Sequence, residues 1–282
     1  EQPWAVLVTG VNGIRKTTSI YQPWFPQLLA EALECPSIYD DADTTVPTIP
    51  TNQLPCGENS FFRQLDHMIA TLCNAEFAQL YQLTEKEMLH VGDEGEPSNQ
   101  VIEKYSNLKA AIFARYRTLS EILGILLLRK AQERNMNCLL ETSGRDVSMF
   151  TYIQHYFSAT AVPYKKLVLH FVIQDLEHAK KSVDRRMVQE IKNGIAALSG
   201  NDNDNVQEII NVNAGGPYGS NVLSSVQEAS DKVWNEIILN KKQDIGNDWY
   251  KATISIQPHA TEPWTACAVR NDGTLGKKFT FV

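Results

Sequence analysis

Residues 5–9, Ala-Val-Leu-Val-Thr, form an unbroken apolar run that stops at Gly10, the pattern of a strand buried on both faces and feeding a turn. From Lys16 the spacing becomes helical up to Leu33, and Pro23 and Pro26 demand a kink or an early stop near Tyr21, because proline lacks an N–H and crowds the preceding turn. Pro36-Ser-Ile-Tyr-Asp predicts a second short strand, and the Asp-, Thr- and Pro-rich stretch 40–55 predicts no regular structure. Phe61, Leu65, Met68, Ile69 and Leu72 recur at helical spacing within 60–83, with Ser60 placed as N-cap. After a polar loop at 92–99, residues 101–134 carry a long helical pattern, broken once near Ser106, that leads into Asn137-Cys-Leu-Leu-Glu, a buried strand ending in an acid. A helix over 148–158, a fully buried strand over 166–173 and a basic helix over 176–197 follow. The tract 199–205 reads as a mobile polar loop, 213–221 as a Gly- and Pro-containing loop and 225–240 as a helix. Segments 266–270 and 277–281 flank Asn271-Asp-Gly, a hairpin signal.

Strands alternating with helices predict an α/β fold: a parallel, doubly wound sheet flanked by helices, with a C-terminal β-hairpin. At 282 residues and 43% hydrophobic, the chain can bury one large core without disulfides or metals. A single domain over 1–282 is therefore expected, with a helical insertion about 60–135, a lid and loop region about 176–221 and a C-terminal helix and hairpin about 225–282. The formal charge of −7 argues against a nucleic-acid or anionic-membrane surface, so a phosphate site has to be a local basic pocket. The 5 cysteines are scattered and never in C-x-x-C spacing, which predicts neither a zinc site nor a disulfide framework and points to a reducing, cytoplasmic setting. No apolar run of about 18 residues is present, which excludes a membrane-spanning helix. Because the sequence begins at Glu1 rather than methionine, a removed leader or tag stays open.

The candidate chemistry begins at Gly10-Val-Asn-Gly-Ile-Arg-Lys-Thr-Thr, between the first strand and the first helix. A phosphate cradle needs glycines so that successive N–H groups converge on phosphate oxygens, a lysine to reach the β and γ phosphates, and a hydroxyl to hold Mg²⁺. Gly10, Gly13, Lys16 and Thr17 meet these demands, and the backbone of Asn12, Ile14, Arg15 and Thr18 completes the loop. Arg15 stands where the pattern has a third glycine. Either it remodels the loop or its guanidinium adds charge to the phosphate pocket.

Asp40, Asp41 and Asp43 follow the second predicted strand at the carboxyl edge, where open α/β sheets bind ligands. A carboxylate there suits the proton of an attacking hydroxyl, although an Asp/Thr-rich turn also caps itself through its side chains. Glu141-Thr-Ser-Gly-Arg ends the next strand and offers an acid, a hydroxyl and a guanidinium to a polar substrate or to Mg²⁺, or else a local Glu141–Arg145 pair. Arg185 lies on the basic helix; an arginine of that kind neutralises transition-state charge, while most basic helices are simply solvated.

Together these segments resemble the zeta-toxin family of P-loop kinases, whose better-known members phosphorylate UDP-N-acetylglucosamine and are similar in fold to chloramphenicol phosphotransferase. The likeness runs through the cradle, the Ile38–Asp43 stretch with its Asp-x-Asp pair, the Glu-x-Ser-Gly-Arg strand end and the closing hairpin. It implies a P-loop kinase using ATP or GTP with Mg²⁺, in which Lys16 contacts the transferred phosphate, Thr17 holds the metal and Asp43 is the general base. It further implies that Asp41, Glu121, Glu141, Ser143 and Arg145 hold a small-molecule acceptor and that Arg185 is a lid arginine on the nucleotide; a toxin role would add an inhibitory protein partner. Two departures stand out: no arginine lies between Arg186 and Arg270 to act as a second lid arginine, and 199–221 is inserted. The same cradle and Glu-Thr-Ser-Gly-Arg also resemble signal-recognition GTPases, but the Thr-Lys-x-Asp guanine-reading element is absent. A degenerate pseudokinase that binds nucleotide without turnover is the third reading.

Overall fold

The computed structural model describes residues 2–34, 62–91, 96–158, 163–199, 202–213, 219–239, 249–259 and 263–282. Among the described residues the strands form one sheet in the order β2-β1-β3-β4-β5-β6. The strands are β1 (Trp4–Thr9), β2 (Cys138–Glu141), β3 (Lys165–Ile173), β4 (Trp249–Gln257), β5 (Trp264–Val269) and β6 (Phe279–Phe281). The first four pair parallel, since the segments between them are long enough to carry crossover helices. Only residues 258–263 separate β4 from β5, too few for a crossover, so β5 turns back antiparallel and β6 pairs antiparallel with it. The fold is α/β with a mixed sheet: β1 to β4 are parallel, and the hairpin expected around Asn271-Asp-Gly is β5 with β6, joined to the same sheet through β4.

The strand expected over 36–40 and the helix cap at Ser60 lie outside the described residues. Strand β4 was not anticipated, although Ala252, Ile254 and Ile256 repeat with the period of two that a strand requires.

The chain divides into two compact units, one formed by Glu1–Ser60, Ala131–Ala179 and Ser224–Val282, the other by Phe61–Lys130 and Lys180–Leu223. The first holds the sheet. Every residue of β1 is buried, as a central parallel strand flanked by β2 and β3 must be. The first helical segment splits into α1 (Lys16–Ile20) and α2 (Phe25–Ala32), with Pro26 in the first turn of α2, where its missing N–H is harmless. α2 packs Phe25, Leu28 and Leu29 into the core beside β4 and β5. On α6 (Ser148–Tyr156), which packs on β1, Phe150 and Ile153 are the buried side chains.

The second unit is helical: α3 (Phe62–Leu72), α4 (Asn74–Val91), most of α5 (Asn99–Glu133) and α7 (Leu176–Leu198), and α8 (Asp202–Val212). Its core stacks Tyr81 on Tyr105 with ring centroids 6.1 Å apart and sets Phe77 edge-on to Phe113 at 5.9 Å. Each such side chain contributes about 1.5–3 kcal/mol through burial. At its centre Lys109 and Glu190, both buried, form an ion pair, and the Tyr105 hydroxyl donates to the same Glu190 oxygen. Two local expectations fail here. α5 runs unbroken through Ser106, whose hydroxyl donates back to the Glu103 carbonyl at 3.0 Å and so spends its polarity inside the helix. The 199–205 tract is not wholly loop either, because α8 starts at Asp202 and is anchored by buried Ile209 and Ile210.

Candidate functional site

β1 ends at Thr9, and the chain leaves the sheet through Gly10 at φ 127°. A Cβ there would stand 2.5 Å from the Phe171 carbonyl oxygen, so the bend is closed to any other residue. Gly13 at φ 83° makes the next reversal. Arg15 adopts the left-handed conformation itself, φ 56° and ψ 35°, as N-cap of α1. It thereby keeps the backbone geometry that glycine supplies elsewhere, at about 1–2 kcal/mol for a residue with a side chain. Its guanidinium lies 4.6 Å from the Trp264 ring centroid, a cation–π contact worth about 0.5–1 kcal/mol. Arg15→Gly relieves the strain but loses that contact and frees the unfolded chain, so stability should change by less than about 1 kcal/mol. Chemical denaturation measures that balance.

Lys16 opens α1 and is buried, 4% exposed. Its ammonium donates to the carbonyls of Gly10 at 2.8 Å and Val11 at 2.9 Å and pairs with Glu141 Oε1 at 2.9 Å. Those three partners use all three donors, so a phosphate reaching Lys16 has to displace at least one of them. Glu141 arrives there through strand register: β2 pairs with β1 so that Glu141 stands opposite Val8, at the carboxyl end of the neighbouring strand. The turn after it is stitched to the cradle, with Thr142 N donating to Val8 O at 2.9 Å and Gly10 N to Ser143 O at 3.3 Å. The first intrahelical bond of α1 is Ser19 N to Arg15 O, which leaves the N–H groups of Lys16, Thr17 and Thr18 without an acceptor inside the helix. Asn12, Thr17 and Thr18 are half-buried; Ile14 is fully buried, so its side chain serves the core and its backbone the loop.

Lys16, Glu141 and Ser143 therefore share one locus with the glycine bends. Arg145, in the same turn, is exposed. Asp40, Asp41 and Asp43 lie outside the described residues. Glu121 and Arg185 belong to the helical unit. Both are exposed, and Glu121 forms an i,i+4 ion pair with Arg117 at 2.8 Å, a contact worth about 0.3–0.5 kcal/mol on a solvated face.

A second polar group sits beside the cradle that sequence reading missed. Thr9 Oγ1 is 2.8 Å from His170 Nδ1, on the register that sets Thr9 opposite His170 across β1 and β3. The imidazole stacks on Trp234 with centroids 4.4 Å apart, and burial pushes its pKa down to about 3. It is therefore neutral at ordinary pH, and its 3.9 Å approach to Asp231 Oδ1 is a dipolar contact rather than a salt bridge. Asp231 and its neighbours Gln227 and Ser230 come from α9 (Leu223–Val233). A histidine inside the apolar run of β3 was the available signal, for a buried imidazole needs a polar partner.

Among the described residues no group of three or more His, Cys, Asp or Glu could hold a metal ion by itself. Mg²⁺ on a nucleotide asks less, one or two hard protein oxygens in addition to phosphates, and the Thr17 hydroxyl with the Glu141 carboxylate is a donor set of that chemistry. Among the described residues no helix is long and apolar enough to cross a membrane. Comparison of the chain with protein-family models, with curated proteins and with solved structures finds no match.

Proposed function

We propose that this chain is a P-loop phosphotransferase, binding ATP or GTP at residues 10–18 and moving the terminal phosphate to a hydroxyl of a small acceptor. The observation that carries the reading is the buried ammonium of Lys16, set in a strand-to-helix loop of three left-handed residues and met there by an acid from the adjacent strand. Glu141 offsets the ammonium until a phosphate displaces it, next to helix N–H groups, in a chain whose net charge is −7.

In the reaction the acceptor oxygen bonds to the terminal phosphorus as the bridging phosphorus–oxygen bond breaks, and the hydroxyl proton passes to a carboxylate. Lys16 orients and neutralises the transferred group, and Glu141 holds the ammonium until phosphate takes its place. Thr17 and Glu141 would hold Mg²⁺, which when bound neutralises phosphate charge. Asp43 is the base that the family likeness supplies, with Asp41, Ser143 and Arg145 around the acceptor; a UDP-N-acetylhexosamine is the acceptor to try first. A cytoplasmic setting agrees with the free thiols of Cys73, Cys138 and Cys267.

A second reading, nucleotide binding without turnover, draws support from the engagement of Lys16 by three protein oxygens. Terminally labelled ATP and GTP, offered with UDP-N-acetylglucosamine, other UDP-sugars and nucleosides, separate the outcomes. Label transfer to an acceptor is the expected result. Acceptor-independent hydrolysis with guanine preference means a GTPase instead, and binding without either reaction means a pseudokinase.

A further inference from the structure

Glu141 reaches the cradle on a backbone that cannot withdraw it. Strand β2 pairs with β1 from Cys138 to Glu141, and the next residue, Thr142, donates to Val8 O at 2.9 Å. The carboxylate can turn about its own side-chain bonds, but its Cα stays at the loop. Its Oε1 stands 2.9 Å from Lys16 Nζ, whose other two donors go to Gly10 O at 2.8 Å and Val11 O at 2.9 Å. Those two carbonyls are main chain of the loop itself, so of the three partners Glu141 is the one that side-chain rotation alone releases. It is also the more accessible half of the pair, its side chain 27% exposed where that of Lys16 is 4%. A ligand entering from solvent meets the acid before the base.

The pair sums to zero charge. A triphosphate arriving as the free anion has to take Lys16 from a carboxylate and then leave that carboxylate, without its cation, beside a second anion, and both steps weaken binding. A divalent cation carried on the phosphates changes the second step, because a hard cation takes carboxylate oxygens as ligands. We propose that Glu141 makes the cradle select the metal complex of a nucleoside triphosphate over the free triphosphate anion, by exchanging Lys16 for the metal as its partner. The inference rests on nucleotide binding at residues 10–18 and adds to it an internal competitor for Lys16 and the condition that relieves the competition.

The surroundings of the pair suit that exchange. Thr17 follows Lys16 directly and is half-buried, so its hydroxyl is available to the cation that Glu141 takes up. The N–H groups of Lys16, Thr17 and Thr18, which have no acceptor inside α1, are left for phosphate oxygens. Lys16 keeps its two loop carbonyls throughout and trades only the third partner, a carboxylate for a phosphate, so its charge is never left unmet. Metal and nucleotide are thereby coupled through one side chain, and each favours the binding of the other to the same degree.

Titration of the full chain with a fluorescent ATP analogue, in EDTA and again in excess Mg²⁺, tests this on the wild type, Glu141→Gln and Glu141→Asp, with thermal melts to establish folding. The wild type should bind about tenfold or more tightly with Mg²⁺ than in EDTA. Glutamine keeps the shape of the side chain and an acceptor for Lys16 but carries no charge, so Glu141→Gln should gain about 10- to 100-fold in EDTA, the value of one charge-assisted hydrogen bond that no longer has to be broken, and lose most of its response to Mg²⁺. Glu141→Asp keeps the charge but stops one methylene short of Lys16, so it too should gain in EDTA. A gain by Glu141→Gln alone means that the carboxylate merely repels phosphate, and it overturns the exchange. So does a wild type indifferent to Mg²⁺, or a folded pair of variants that bind in EDTA no better than the wild type; each of these leaves nucleotide binding intact. No binding of the analogue by the wild type in either condition removes the nucleotide site and the inference with it.

Discussion

Replacing Lys16 by alanine should lower phosphate transfer by about 100- to 1,000-fold, the usual loss when one group aimed at the transferring charge is removed. The residue is buried, its ammonium is fixed by Gly10 O, Val11 O and Glu141, and no second lysine stands in the cradle sequence. Affinity for a fluorescent ATP analogue should fall along with transfer, because in the proposed reaction the same cation also holds phosphate in the ground state. Glu141, with its side chain 27% exposed, loses its cation in this variant but keeps contact with water, so the fold should survive. A thermal melt checks that point. Full transfer by a folded Lys16→Ala chain would remove the loop from the chemistry and the proposed function with it.

Breaking the buried ion pair of the helical unit should produce the largest loss of stability. Glu190 accepts from both Lys109 and the Tyr105 hydroxyl with both cation and acid out of water. Glu190→Ala removes the carboxylate from a buried ammonium in a core that includes Tyr81, Phe113, Met187 and Ile191, a loss of about 3–5 kcal/mol. The double variant Lys109→Met with Glu190→Leu should recover most of it, since removing both partners also removes both desolvation penalties. Urea unfolding of the wild type, Lys109→Met, Glu190→Leu and the double variant measures the coupling, and a Glu190→Ala loss below about 1 kcal/mol would show that water reaches the pair. The same burial holds the Tyr105 hydroxyl's pKa well above its ordinary value, reinforced by the Glu190 charge, so Tyr105 stays a donor at any pH the protein meets.

The strands of the sheet differed in how plainly they could be read. β1 is an unbroken apolar run and β3 an apolar run interrupted by His170, because both are buried along nearly their whole length, and that pattern survives in sequence. β4 was passed over: it alternates in burial over only part of its length, and Trp249, Tyr250 and Lys251 at its start carry no period. Helix ends were legible where proline or glycine forced them, as at the break before α2, and illegible where packing decided, as at Ser106.

The order of residues along the chain determined the strand-to-helix loop that carries Lys16 and Thr17, because glycine bends, a lysine and a hydroxyl must be neighbours to share one loop, and local geometry follows from local sequence. It left open whether Arg15 remodels the loop or adds charge to it, and the structure shows Arg15 holding a glycine-like backbone at φ 56° and ψ 35°. Only the tertiary structure decided that Glu141 is the acid that meets Lys16, since that contact depends on the register of β2 against β1 across more than a hundred intervening residues. The joining of Thr9, His170, Ser230 and Asp231 was likewise decided by packing. Side chains from β1, β3 and α9 meet only once the sheet has formed, and no local pattern records a distance between segments that fold apart in sequence.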